Sequence, residues 1–138
     1  MAAQGGQKKS LDNPDETRDF EQGKLQTATL ADFKVARAVL QPGWKWSEHV
    51  KPLAQTESCQ VRHTGYVVSG QMKVVMDDRS EVDLGPGDAY VLEPGHDAWV
   101  VGNEPFVGVD VSTEMVEQFA KEEDKGLIDR AKDKLSGQ

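Results

Sequence analysis

The chain reads as all-β, an antiparallel barrel or sandwich. Short runs rich in Val, Leu and aromatic side chains fill residues 25–111, and turn formers break them at regular intervals. Glycines flank Pro86, and Pro94-Gly95 follows closely. Pro presets one backbone angle and Gly tolerates left-handed values, so two tight turns bracket Asp88-Ala89-Tyr90-Val91-Leu92-Glu93 and only a strand fits between them.

The elements follow in order. Segment 1–24 holds few apolar side chains and an Asp12-Asn13-Pro14-Asp15 turn, so most of it is expected to stay mobile or to drape over the barrel. Strands are then expected at 25–30 and 34–41, the second closed by Pro42-Gly43, and at 45–50, closed by Pro52. Gly70 separates strands at 60–68 and 71–76, and Asp77-Asp78 forms a hairpin tip before 81–84. Gly85-Pro86-Gly87 leads into 89–93, Pro94-Gly95 into 98–102, and Asn103-Glu104-Pro105 into 106–111.

From Ser112 the period changes. Met115, Val116 and Phe119 recur at helical spacing, Ser112 or Thr113 can cap the first turn, and Gly126 divides off a segment carrying Leu127, Ile128, Ala131 and Leu135. Residues 112–138 are thus expected to form an amphipathic helical tail laid on the barrel or on a partner subunit. The mixed-sign polar face argues against a membrane role.

Bulk properties narrow the function classes. The 138 residues suffice for one hydrophobic core, with no room for a second domain. A net charge of −8 and a pI near 4.8 repel phosphate backbones and anionic lipids, so nucleic acid and membrane surfaces are not expected as partners. The single cysteine, Cys59, rules out an internal disulfide. The polar start lacks the apolar core of a signal peptide and no run is long enough to span a bilayer, which leads to an expected cytoplasmic location. There is no Gly-x-Ser-x-Gly elbow, no phosphate-binding glycine loop ending in Lys-Ser or Lys-Thr, and no Cys-x-x-Cys pair.

Over residues 40–111 the chain resembles the small cupins. That family's first motif runs Gly, five residues, His-x-His, a Glu, then six residues and Gly. Its second runs Gly, five residues, Pro-x-Gly, two residues and His. The resemblance implies a double-stranded β-helix, the jelly-roll barrel around a central pocket, in which those three histidines and the glutamate usually hold a metal. It also makes a homodimer the expected assembly. Here Gly43 leads to His49, but Lys51 takes the second histidine position. His63, seven residues before Gly70, stands in the glutamate position, while Ala98 falls where the last histidine belongs and His96 lies two residues earlier.

His49, His63 and His96 are therefore candidate ligands for one divalent transition metal such as Zn, Fe, Ni or Mn, with a metal-free pocket as the alternative. Lys51 opposes a cation and suits an anionic ligand such as a carboxylate. His63 lies within the alternation of Val61, Gly65 and Val67 and is expected to face the interior, and His96 to line the pocket. Trp46, Tyr66, Tyr90 and Trp99 add aromatic surface near the motif positions, part of it core and part rim or dimer surface. Cys59 is expected to be a small buried hydrophobe, because no neighbour in sequence offers a base, although Arg62 would lower its pKa if close.

The expected function is small-molecule binding or sensing in a pocket lined by Lys51, His63, His96 and aromatics. The alternative is a metal-dependent enzyme of the dioxygenase, isomerase or decarboxylase kind. A third possibility is an assembly protein with a vestigial pocket.

Overall fold

The computed structural model describes residues 5–112; the expected helices beyond Ser112 lie outside the described residues. Among the described residues nine strands form two antiparallel sheets. β1 (Glu16–Phe20), β2 (Gly23–Leu30) and β3 (Phe33–Leu40) form a meander. After two short helices come β4 (His63–Ser69), β5 (Gln71–Met76) and β6 (Glu81–Leu84), then β7 (Ala89–Leu92), β8 (His96–Val101) and β9 (Phe106–Ser112). The larger sheet has the order β1-β2-β3-β9-β4-β7 and the smaller β6-β5-β8, so consecutive strands repeatedly change sheets. This is the jelly-roll connectivity expected from the motifs.

Both sheets contribute to one core. Leu40, Val67, Leu92 and Phe106 from the larger sheet meet Met72, Val74, Leu84, Ala98 and Val100 from the smaller, with Val67 and Val74 fully buried. Pleating alone fixes which side chains enter, because neighbours along a strand point to opposite faces. On β9 the buried residues are Phe106 and Gly108, so Asp110 lies on the same inward face. The valines between them face outward, as do the half-exposed Tyr66 and Val68 of β4 and Val91 of β7.

Three expectations change. Residues 16–20 of the polar arm form β1, paired along its length with β2. Upstream of β1, Arg37 Nη2 reaches the Leu11 carbonyl and the Asp12 carboxylate, and Asp15 accepts the Thr29 amide. The strand expected at 45–50 is instead α1 (Trp46–His49), followed by α2 (Lys51–Ala54). Pro52 sits in the first turn of α2, where its missing N–H is not needed, and Lys45 and Val50 supply the first carbonyl acceptors of the two helices. The strand expected at 98–102 begins two residues earlier, with His96 opening β8. Among the described residues no helix is long and apolar enough to cross a membrane.

Candidate metal centre

Cys59 is fastened to the start of β8 by its own backbone. Its N–H donates to the His96 carbonyl at 2.7 Å, and its carbonyl accepts from Gly95 N at 2.6 Å. Gly95 adopts φ +96°, and a Cβ there would stand 2.8 Å from the Asp77 carboxylate, so the close return of the chain needs glycine. Asp77 in turn accepts the Ser58 hydroxyl at 3.0 Å, tying the Cys59 loop to the end of β5. The thiol is thereby presented to the inward faces of β4 and β8.

Two histidines meet it there. His63 Nε2 lies 3.7 Å from Cys59 Sγ, and the His63 and His96 rings stand edge to face with centroids 5.4 Å apart. One donor atom from each of Cys59, His63 and His96 lies within 4.8 Å of the other two. Cys59 and His96 are buried, with exposures of 6% and 3%, and His63 is partly buried.

The remaining ring nitrogens are committed elsewhere. His96 Nδ1 is 2.7 Å from the Glu93 carbonyl, an acceptor only, so Nδ1 carries the hydrogen and donates. His63 Nδ1 likewise donates to Asp110 Oδ2 at 2.8 Å, and Asp110 Oδ1 accepts the Tyr90 hydroxyl at 2.5 Å. In the neutral ring the His63 Nε2 lone pair is left to face Cys59, and His96 keeps its own Nε2 free of the Glu93 bond. Metal-ligating histidines almost always hold their second nitrogen in this way.

Charge follows geometry. Burial raises the Cys59 thiol, but hydrogen bonds from His63, His96 and the Val61 backbone, with the His63 charge, outweigh it and bring the pKa down from 9.0 to about 6. Burial lowers His63, yet the hydrogen bonds and charges of Asp110 and Cys59 raise it from 6.5 to about 10. Burial and the Asp110 carboxylate hold the Tyr90 phenol well above its ordinary range, so Tyr90 stays a donor. Without a metal, these opposite shifts favour a thiolate–imidazolium pair, with Asp110 on the far side of His63.

The Cys59–His63 pair passes a size test. Zinc bonds of about 2.3 Å to sulfur and about 2.0 Å to nitrogen at a tetrahedral angle put the two donors about 3.5 Å apart, close to the 3.7 Å Cys59–His63 separation. Cys59, His63 and His96 would supply three positions and leave one open, the pattern of a reactive rather than a purely structural site.

Several sequence candidates lie elsewhere. His49 caps back onto its own helix, where Nδ1 accepts the Lys45 amide at 3.0 Å, and its Nε2 is 3.9 Å from Glu21; it is not part of the cluster, because residues 46–54 are helical. Lys51 pairs with the exposed Glu57 at 3.1 Å. Tyr66 points outward at 51% exposure. Trp99 lies on the outer face of β8 under the Lys45 ammonium, 5.0 Å from the ring centroid. Trp46 is buried in the core. Arg62 pairs with Glu93 at 3.2 Å, and it is the histidines that lower Cys59. Tyr90, His63 and His96 do come together. Cys59 and Asp110 were missed as site residues; the spacing Cys59-x-x-x-His63 and one inward carboxylate on an otherwise apolar strand were the available signals.

A jelly-roll barrel with an inward histidine cluster defines a small cupin. A family model described as the EutQ-like cupin domain matches residues 45–119, and the chain belongs to that family. No curated protein matches the chain. Among solved structures it is similar to a Cupin 2 conserved barrel domain protein from Salinispora arenicola CNS-205, with 19% identity over 87% of this chain and 98% of that one and a TM-score of 0.55. A protein of unknown function from Rhizobium leguminosarum bv. viciae 3841 shows 17% identity, coverage of 78% and 96%, and a TM-score of 0.57. Oxalate decarboxylase from Lactobacillus farciminis shows 19% identity, coverage of 75% and 40%, and a TM-score of 0.50. At these identities the likeness is one of fold.

Proposed function

We propose that the barrel is a metal-centred small-molecule site, in which Cys59, His63 and His96 hold one divalent transition ion and a small ligand takes the open position. The observation that supports this most is the convergence of the three donor atoms with both histidine Nδ1 groups bonded outward. A thiolate with two imidazoles favours Zn, Ni, Cu or Fe(II) over the harder Mn. The bound ion would supply a Lewis acid for an oxygen of the ligand. The chain's own groups would do the rest: Phe106, Leu92 and Val67 keep the interior dry, and Tyr90 and Asp110 brace His63. An anionic ligand such as a small carboxylate would be drawn by the ion's charge rather than by Lys51, whose ammonium is paired with Glu57.

The test is elemental analysis of full-length protein purified without chelator or histidine tag, followed by incubation with Fe, Zn, Ni and Mn. About one equivalent of metal per chain, lost in His63→Ala, is the expected result. Protein that stays metal-free after incubation would sink the proposal.

A further inference from the structure

We infer that Tyr90 is a positioning residue for His63, acting through Asp110, and that Gly65 is the gap that lets it do so. The inference rests on the metal reading above and deepens it.

Strand register sets three residues in one row. Gly65 on β4 is paired with Tyr90 on β7 on one side and with Asp110 on β9 on the other. Tyr90 and Asp110 therefore flank a single residue in one cross-strand row, about 10 Å apart at two strand spacings. A side chain in the middle position would separate them. Because that position is glycine, the Tyr90 phenol crosses over β4 and meets Asp110 Oδ1. A Cβ on Gly65 would lie 2.7 Å from that oxygen and 2.8 Å from the phenol oxygen. Gly108, two residues from Asp110 on the same face, leaves further room, since a Cβ there would stand 3.2 Å from the phenol oxygen.

His63 is two residues before Gly65 and shares its inward face. The other Asp110 oxygen reaches it diagonally across the β4–β9 pair. The two oxygens thus have separate duties: Oδ1 is pinned by Tyr90, and Oδ2 accepts the His63 Nδ1 hydrogen. A carboxylate attached through one rotatable bond to its Cβ turns freely unless both ends are held. Tyr90 supplies that second hold, and with it the ring orientation that aims His63 Nε2 at Cys59 and His96.

Zinc affinity of the full chain, measured by competition with a chromophoric chelator, tests the inference in wild type, Tyr90→Phe, Asp110→Asn and Tyr66→Phe. Tyr90→Phe is expected to weaken binding about 10-fold and Asp110→Asn at least as much, as for outer partners of metal ligands, whereas the outward Tyr66→Phe leaves it unchanged. Nitrogen-15 NMR of zinc-loaded protein supplies a readout that a general loss of stability would not move. In wild type, His63 should carry its hydrogen on Nδ1 in one ring state, and in Tyr90→Phe the resonances should broaden or split. If Tyr90→Phe cannot be folded, the wild-type spectrum and Asp110→Asn still decide. Wild-type affinity and an unaltered His63 spectrum in Tyr90→Phe would overturn the inference while leaving the metal reading intact, and a wild-type chain that takes no zinc would overturn both.

Discussion

Cys59 Sγ and His63 Nε2 stand 3.7 Å apart, and Asp110 holds the far side of the same imidazole at 2.8 Å. The order thiol, imidazole, carboxylate sets an acidic group on each side of the His63 ring. Each neighbour stabilises the charged form of the next.

The first consequence is an ionised thiol at neutral pH. Thiolate ultraviolet absorbance of metal-free protein should rise as pH passes about 6. In His63→Ala the burial penalty remains and the main opposing partner is gone, so the rise should move toward or above the ordinary value of 9.0. Wild-type and variant curves that coincide would break the assigned pairing.

Stability of the metal-free barrel should follow the same pair. Cys59 is lowered on folding, so its contribution is complete above 9.0 and is lost as pH falls through about 6. His63 is raised, so its contribution is complete below 6.5 and is lost as pH rises through about 10. Between 6.5 and 9.0 the two slopes have opposite sign and cancel. The difference in Tm between wild type and a Cys59→Ala/His63→Ala double variant should therefore be flat across that window and shrink on both sides. A difference that changes steadily through the window would contradict the pairing.

Gly65→Ala tests the crowded row of β7, β4 and β9. The new Cβ would meet the Val109 carbonyl oxygen as well as Asp110 and Tyr90, and backbone cannot step aside as a flexible side chain can. A loss of about 1–3 kcal/mol or more is expected in denaturant unfolding, as for overpacked interiors. Gly6→Ala, which meets nothing within 4 Å, serves as the neutral control.

Much of the frame was legible in the sequence because Gly-Pro-Gly and Pro-Gly turns act locally. The strands at 71–76 and 81–84 and the hairpin tip between them match β5, β6 and their connection. The helical pair at 46–54 was not legible, since Trp44 and Trp46 are spaced like one face of a strand and both are buried in the core. The site was legible only in part. His63 and His96 stand at or beside motif positions, but Cys59 has no base beside it in sequence, and its partners arrive through β4 and β8. Asp110 lies 47 residues from His63, and on β9 the alternating valines mark the outer face while Phe106, Gly108 and Asp110 turn inward. A pattern of apolar residues on one side does not say which side the second sheet will cover.

The most direct measurement is the absorption spectrum of the full chain loaded with Co(II), compared with Cys59→Ser and His49→Ala. Cobalt takes the same ligand geometries as zinc and reports a bound thiolate through a charge-transfer band in the near ultraviolet. The expected result is that band at one equivalent of cobalt, retained in His49→Ala and lost in Cys59→Ser. Cobalt bound without the band, or a band that persists unchanged in Cys59→Ser, would contradict a centre built on Cys59, His63 and His96.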